Sequence, residues 1–68
     1  MNLGVSSRRM DLQDAVLAEL QTQKRPMRVE ELGERFGRLH AEIMIALGKL
    51  AEQGFVEMRS DGSWAVRK

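Results

Sequence analysis

Cysteine is absent from this chain, and histidine occurs once, at His40. Without cysteine there can be no disulfide bond and no thiolate ligand for a metal. A single histidine cannot complete a zinc site, because zinc takes several strong protein ligands. We therefore expect neither a metal nor another cofactor.

Long apolar runs are also absent. No stretch approaches the roughly 20 apolar residues that a membrane-spanning helix needs, and Met1 to Met10 lacks the apolar centre of a signal peptide. The expectation that follows is a cytoplasmic protein without membrane contact.

Arrangements that could support catalysis are equally scarce. The chain has 68 residues, so one domain has little room for an active-site cavity beside the packing that stabilises the fold. Glu30, Glu31 and Glu34 lie on a short amphipathic helix, where they form a solvated face, whereas an acid/base pair needs a pocket. No nucleophile with a base partner is visible near His40. We predict that the protein is not an enzyme.

The charge balance does not favour one class of partner. Eleven Lys and Arg residues face ten Asp and Glu residues, for a net charge of +1. A dedicated non-specific DNA binder usually carries a clear basic excess, which displaces counterions from phosphates. The net charge therefore neither excludes nucleic acid nor supports it.

The first predicted helix follows an N-terminal arm. Residues 1–8 have no apolar periodicity and are expected to form a flexible arm, with Ser6 or Ser7 as candidate helix cap; residues 9–68 form a single domain. Apolar side chains recur at every fourth position from about Arg9 to Gln23, which predicts an amphipathic helix. Pro26 cannot continue that helix. The recurring residues are Leu12, Val16 and Leu20.

Two further helices are predicted, and a glycine ends each of them. Residues 29–36 form the second helix, with Gly37 placed to adopt the left-handed cap conformation. The third helix extends from about Leu39 to Gln53, with Gly54 as its cap. The residues expected on its core-facing side are Leu39, Ile43, Ala46, Leu47 and Leu50.

A β-hairpin is predicted after the third helix. Residues 55–59 and 63–67 alternate in character on the two sides of Ser60-Asp61-Gly62. Trp64 is expected in the core, as the largest apolar group available to cover the hairpin. A short extra strand is possible at Met27-Arg28. The methionines expected to fill gaps in the core or at its rim are Met10, Met27 and Met58.

This order of elements resembles the winged helix-turn-helix superfamily, most closely its compact bacterial regulators. The resemblance covers residues 11–67. It implies an α+β fold of three helices followed by a two-stranded wing, with the third helix in the major groove of duplex DNA and the wing on the backbone or minor groove. The residues that carry it are Val29, Leu32, Phe36, Gly37, Ile43, Leu47, Leu50, Gly54, Phe55, Val56, Asp61 and Gly62.

Carried over to this sequence, the resemblance implies DNA contacts at Arg38, His40, Lys49 and Arg59. Binding would be driven by phosphate contacts, sensitive to salt and weakly sequence-specific. The Ser or Thr caps usual in the family are missing, because Arg28 and Leu39 stand at the starts of the second and third helices. Further candidate contacts to the DNA backbone are Arg8, Arg9, Arg25, Arg67 and Lys68.

The outward side of the third helix suggests a second function. If the core residues face inward, steps of about 100° per residue place another set outward. That set lacks the donors and acceptors that read base edges, and its apolar members suit a protein interface. A helix rotated so that one of them enters the core is the competing interpretation. The outward residues are Ala41, Met44, Ile45, Gly48 and Glu52.

The leading prediction is therefore a DNA-binding, regulator-type protein that acts as a dimer. The alternative is a protein-interaction module that uses Ala41, Met44, Ile45 and Gly48 to receive a second copy or another protein, and that does not bind DNA.

Overall fold

The structure, a computed structural model, describes residues 11–67. Three helices are followed by one antiparallel hairpin, an α+β layout consistent with a winged helix and with the order expected from the sequence. The predicted arm over residues 1–8 and the predicted role of Met10 lie outside the described residues. The elements are α1 (Leu12–Gln23), α2 (Val29–Phe36), α3 (His40–Glu52), β1 (Val56–Met58) and β2 (Trp64–Val66).

Helix α1 begins later than the sequence predicted. Asp11 has extended backbone (φ −67°, ψ 156°), so the helix starts at Leu12 and the expected start near Arg9 is wrong. Aspartate is common at the position before a helix, although the Asp11 side chain makes no cap hydrogen bond here. At the other end Lys24 adopts a left-handed conformation (φ 54°) and donates its N–H to the carbonyl of Leu20 at 3.1 Å. Lys24 therefore ends α1 before Pro26 is reached.

The α2–α3 turn forms as predicted. Gly37 is left-handed (φ 63°), and Arg38 N–H donates to the carbonyl of Gly33 at 3.0 Å. Leu39 then stands in extended backbone (φ −71°, ψ 151°) as the residue before α3, and its side chain is 72% exposed. The prediction that Leu39 lies on the core face is wrong, because the residue precedes the helical periodicity.

Helix α3 ends on a glycine, as expected. Gly54 has φ 83°, and the N–H groups of Gly54 and Phe55 donate to the carbonyls of Ala51 (3.0 Å) and Leu50 (2.9 Å). This pair of bonds is the Schellman arrangement, which satisfies carbonyls at the end of a helix.

The hairpin forms with the predicted turn. Val56 pairs with Val66 and Met58 with Trp64, and the bonds Arg59 N–H to Ser63 O (2.7 Å) and Arg67 N–H to Phe55 O (2.9 Å) continue the ladder at both ends. Gly62 (φ 90°) donates to the carbonyl of Arg59 at 2.9 Å, which closes the turn. Glycine suits this position because other residues rarely adopt a positive φ.

The extra strand near Met27 is reduced to one residue. Met27 and Trp64 exchange two backbone hydrogen bonds, of 2.9 and 2.8 Å, on the free edge of β2. Trp64 is 7% exposed and Met27 is fully buried, so both expectations for the core are confirmed. Met58 is 61% exposed, and its predicted place in the core or rim is wrong, because it is the last residue of β1, towards the hairpin turn, whereas Val56 at the start of the strand is buried.

One apolar core joins the three helices to the hairpin. It fills the space between the inner faces of α1 and α3, the start of α2 and the covered side of β2. Its members are Val16, Leu20, Met27, Val29, Leu32, Ile43, Ala46, Leu47, Leu50, Val56 and Trp64.

Candidate functional site

The outer side of α3 is exposed in the described part of the chain. Ile45 is 61% exposed and Met44 is 39% exposed, and the small residues Ala41 and Gly48 are exposed beside them. The inner side is buried and contains Ile43, Ala46, Leu47 and Leu50. The helix therefore has the rotation expected from the sequence, and the competing rotation, with one outward residue in the core, is wrong.

The chemistry of this outer side is apolar except for the carboxylate of Glu52 at its end. Ile45 and Met44 present alkyl and thioether groups, Ala41 a methyl group and Gly48 no side chain at all. Reading a base pair in the major groove needs side-chain donors and acceptors, typically Arg, Lys, Asn or Gln. This side of α3 can bury apolar area against another protein, but it cannot read a pattern of base edges.

The start of α3 is already occupied by a carboxylate. Glu42 Oε1 accepts the backbone N–H of Leu39 at 3.0 Å, and Glu42 Oε2 accepts from Arg38 Nη1 at 3.2 Å. Leucine has no acceptor of its own, so no Ser- or Thr-type cap is made at Leu39, as expected, and Arg28 likewise makes none for α2. A negative group at a helix start takes the place where a phosphate would bind. Phosphate anchoring at this end of α3 is therefore disfavoured.

The four predicted DNA contacts are all exposed but do not form one patch. Arg38 lies in the turn before α3 and Arg59 follows β1. His40 and Lys49 are nine positions apart on α3, which places them on opposite sides of the helix and about 13.5 Å apart along its axis. A single DNA groove could not contact His40 and Lys49 through the same helix face.

A second feature, a basic groove, was not anticipated from the sequence. A groove of about 820 Å³ lies between the end of α1 and the hairpin. Lys24, Arg25, Arg59 and Arg67 line it, together with the carboxylate of Glu57. The sequence had indicated Arg25, Arg67 and Arg59 as separate candidate contacts, and it did not indicate that Lys24 joins them.

Arg25 is the one member of this groove with an ion pair inside the described chain. Its Nη1 donates to Glu31 Oε1 at 3.2 Å, and a second bond joins Nη2 to Glu31 Oε2. The hydrogen bond with Glu31 raises the pKa of Arg25, and the same bond lowers the pKa of Glu31. Within residues 11–67, the cations of the groove that have no carboxylate within ion-pair distance are Lys24, Arg59 and Arg67.

The described part of the chain is net acidic. Residues 11–67 contain eight Lys and Arg residues against ten Asp and Glu residues, so the three remaining cations of the sequence lie outside this range. The folded part therefore has no overall basic charge with which to attract a polyanion.

Comparison with protein-family models, with curated proteins and with solved structures finds no match to this chain. Within residues 11–67 there is no cluster of three or more side chains placed to hold a metal ion. None of the three helices has the length and apolar character needed to cross a membrane.

Proposed function

We propose that this protein is a protein-interaction module of winged-helix type, and that the outer side of α3 receives the partner. The observation that carries the proposal is the exposure of Met44 and Ile45 beside two residues, Ala41 and Gly48, that are small enough to let another backbone approach. Exposed apolar groups gathered on one face tend to mark contact sites. A cytoplasmic location, expected from the sequence, is part of this proposal.

The physical gain would come from apolar burial. Fully covering a side chain such as isoleucine or methionine contributes about 1.5 to 3 kcal/mol. Two such side chains at the centre of an interface, bordered by charged residues, follow the usual plan of an apolar core with a polar rim. The surrounding charges are Arg38 in the turn before α3, and Glu42, Lys49 and Glu52 on α3.

DNA binding is the second candidate function, and the basic groove favours it. Lys24, Arg59 and Arg67 come from three separate segments and meet at one surface without carboxylate partners in the described chain. Such a surface suits phosphate contacts, which would be sequence-independent and sensitive to salt. We rank DNA binding second because the outer side of α3 is apolar and the folded part of the chain is net acidic.

The test of the proposed function compares two exposed apolar residues. Ile45 and Met58 are both 61% exposed, and they lie on different elements, α3 and β1. We compare Ile45→Asp, Met58→Asp and the original chain in two assays. Each protein is immobilised to capture partners from a lysate of the cells in which the protein occurs naturally. Each is also examined by sedimentation over a range of concentrations to measure self-association. We expect Ile45→Asp to lose association, either with itself or with a captured protein, and Met58→Asp to keep it.

Equal association by the Ile45→Asp and original chains would overturn the proposal. An amide NMR titration with a mixed-sequence DNA duplex, at low and at physiological salt, completes the experiment. Shifts at residues 38–49 that fade with salt would instead favour the DNA-binding function, with the third helix as its reader.

A further inference from the structure

Charged residues of alternating sign line α3 and the turn before it, and Glu42 and Lys49 form the border of its outer side. In chain order they are Arg38, Glu42, Lys49 and Glu52, that is plus, minus, plus, minus, and all four are exposed or partly exposed. Read in the opposite direction, the same series is minus, plus, minus, plus, so each position then has the opposite charge. A second copy of the helix placed antiparallel would therefore present an opposite charge to each of the four, whereas a parallel copy would present like charges.

The register of this pairing follows from the residue numbers. If Ile45 lies at the twofold axis, Glu42 comes within one residue of Lys49 of the second copy. Arg38 precedes the helix and is bonded to Glu42, and it lies at the end of α3 that meets Glu52 of the second copy. Glu42 and Lys49 project within about 20° of each other around the helix. A twofold axis perpendicular to both helices keeps that border on the same side in both copies, so these two side chains can meet.

We propose that the partner is a second copy of this chain, packed antiparallel across α3 with Ile45 at the centre. This inference rests on the proposed function, because it names the occupant of the same surface. Charge complementarity along the border is what selects a second copy over an unrelated protein.

The shape of the surface agrees with this occupant. Ala41, Ile45, Gly48 and Glu52 lie within an arc of about 60°, so they form a straight stripe along α3. In the same register Ala41 faces Gly48 of the second copy on each side of the Ile45 contact. Met44 lies next to the stripe. In this register its side chain would pack over the backbone at Gly48 of the second copy, where there is no side chain.

Gly48 has no role in packing within the described chain. A Cβ added there would meet nothing within 4 Å. A glycine inside a helix weakens it relative to alanine, so a position with open space around it gains nothing from glycine in the monomer. Close approach of the backbone of a second chain would explain why position 48 is glycine, which packing within the fold does not explain.

The helix dipole does not account for the charge order. Glu42 in the first turn and Lys49 in the last turn match the dipole, but Arg38 before the start and Glu52 at the end oppose it. Arg38 has a partner in its own chain, Glu42 at 3.2 Å, so Glu52 is the unfavourable charge that an antiparallel copy would compensate.

The association should be weak. Thirteen residues make a helix about 20 Å long, so the contact is smaller than the roughly 800 Å² per partner of a standard stable complex. We expect a dissociation constant on the order of 100 µM.

Sedimentation equilibrium of two charge-reversed variants tests the inference. Glu42→Lys carries cations at both 42 and 49, and Lys49→Glu carries carboxylates at both positions. Each variant repels its own copies, so we expect each alone to associate at least about fivefold more weakly than the original chain, since like charges face each other. Their equimolar mixture restores complementary pairs, and we expect it to associate at least as strongly as the original chain, with a loss at high salt.

Lys49 is exposed, whereas Glu42 is partly exposed and caps the start of α3, so an amide spectrum of each variant serves as the control for folding. Monomeric behaviour of the original chain at about 1 mM, tenfold above the expected constant, would overturn the inference. The inference would also be overturned if each variant alone and their mixture all dimerised as strongly as the original chain. The proposed function would survive either result if a protein captured by the original chain and by Met58→Asp were not captured by Ile45→Asp. If Ile45→Asp behaved like the original chain in every assay, both the inference and the proposed function would fall.

Discussion

The guanidinium of Arg28 donates a hydrogen bond of 3.0 Å to the carbonyl oxygen of Asp61. Arg28 is the residue before α2, and Asp61 lies in the hairpin turn, 33 positions later in the sequence. The bond ties the tip of the hairpin to the start of α2, although both residues are exposed.

Replacing Arg28 by alanine should loosen the hairpin tip. Loss of one exposed hydrogen bond is expected to lower the free energy of unfolding by about 0.5 to 1 kcal/mol. The amides of Gly62 and Ser63 should exchange faster with solvent, which hydrogen exchange by NMR would detect. Arg35→Ala removes an exposed arginine that pairs with Glu19 and should leave those two amides unchanged. Unaltered exchange in Arg28→Ala would show that the turn holds its own position.

Two aliphatic residues of α3 should respond very differently to truncation. Leu47 is fully buried and Ile45 is 61% exposed. Leu47→Ala is expected to lower the free energy of unfolding by about 2 to 5 kcal/mol, because it leaves a cavity. Ile45→Ala should change it by about 0.5 kcal/mol or less. Urea denaturation monitored by Trp64 fluorescence measures both, at concentrations too low for association. Similar losses in the two variants would contradict the rotation of α3.

Alanine at two glycines should have opposite effects on stability. Gly48 has ordinary helical backbone and open space, so Gly48→Ala is expected to raise the free energy of unfolding by about 0.5 to 1 kcal/mol. Gly37 has φ 63°, so Gly37→Ala is expected to lower it by about 1 kcal/mol. Thermal unfolding of both variants gives the signs. The same Gly48→Ala change should weaken self-association, and a stabilised variant that still dimerised as before would remove the steric part of the inference.

Acid should weaken the hairpin turn through Asp61. Its Oδ1 accepts the hydroxyl of Ser63 at 2.6 Å and the N–H of Ser63 at 2.9 Å, and these bonds lower the pKa of Asp61 below its ordinary value of 3.8. A lowered pKa means that the folded state favours the carboxylate. The stabilisation is therefore fully present above the ordinary value and is lost as the pH falls through the folded-state value.

The check is a pair of unfolding measurements across the acid range. The free energy of unfolding is followed from about pH 6 to about pH 2 for the original chain and for Asp61→Asn, which keeps an acceptor but does not titrate. The original chain should lose more stability than the variant in the lower part of this range. Parallel curves would show that Asp61 does not contribute.

Much of the fold could be predicted because glycine and apolar spacing act locally. Gly37, Gly54 and Gly62 all have positive φ at the ends of elements, as expected of a residue without a Cβ. The left-handed Lys24 was not foreseen, since lysine has no local preference for that conformation. It lies three residues before Met27, which pairs with Trp64 far along the sequence.

The outer side of α3 could also be predicted, because a helix converts spacing directly into direction. The basic groove could not. Lys24 and Arg59 are separated by more than 30 positions and belong to different elements, so nothing in the local sequence shows that they line one surface. The core position predicted for Leu39 is wrong for a different reason. Leu39 fits the apolar spacing of α3, but its backbone is extended and it stands before the helix begins.

No residue of α3 lines the basic groove. A pair formed across α3 would therefore carry two such grooves, both open, on one particle. A polyanion long enough to reach both grooves would bind the second groove intramolecularly. The local effective concentration of that groove, and not its concentration in free solution, would then govern the second contact. Its apparent affinity would rise with the protein concentration as pairs formed, whereas the affinity for a ligand with a single phosphate group would stay constant.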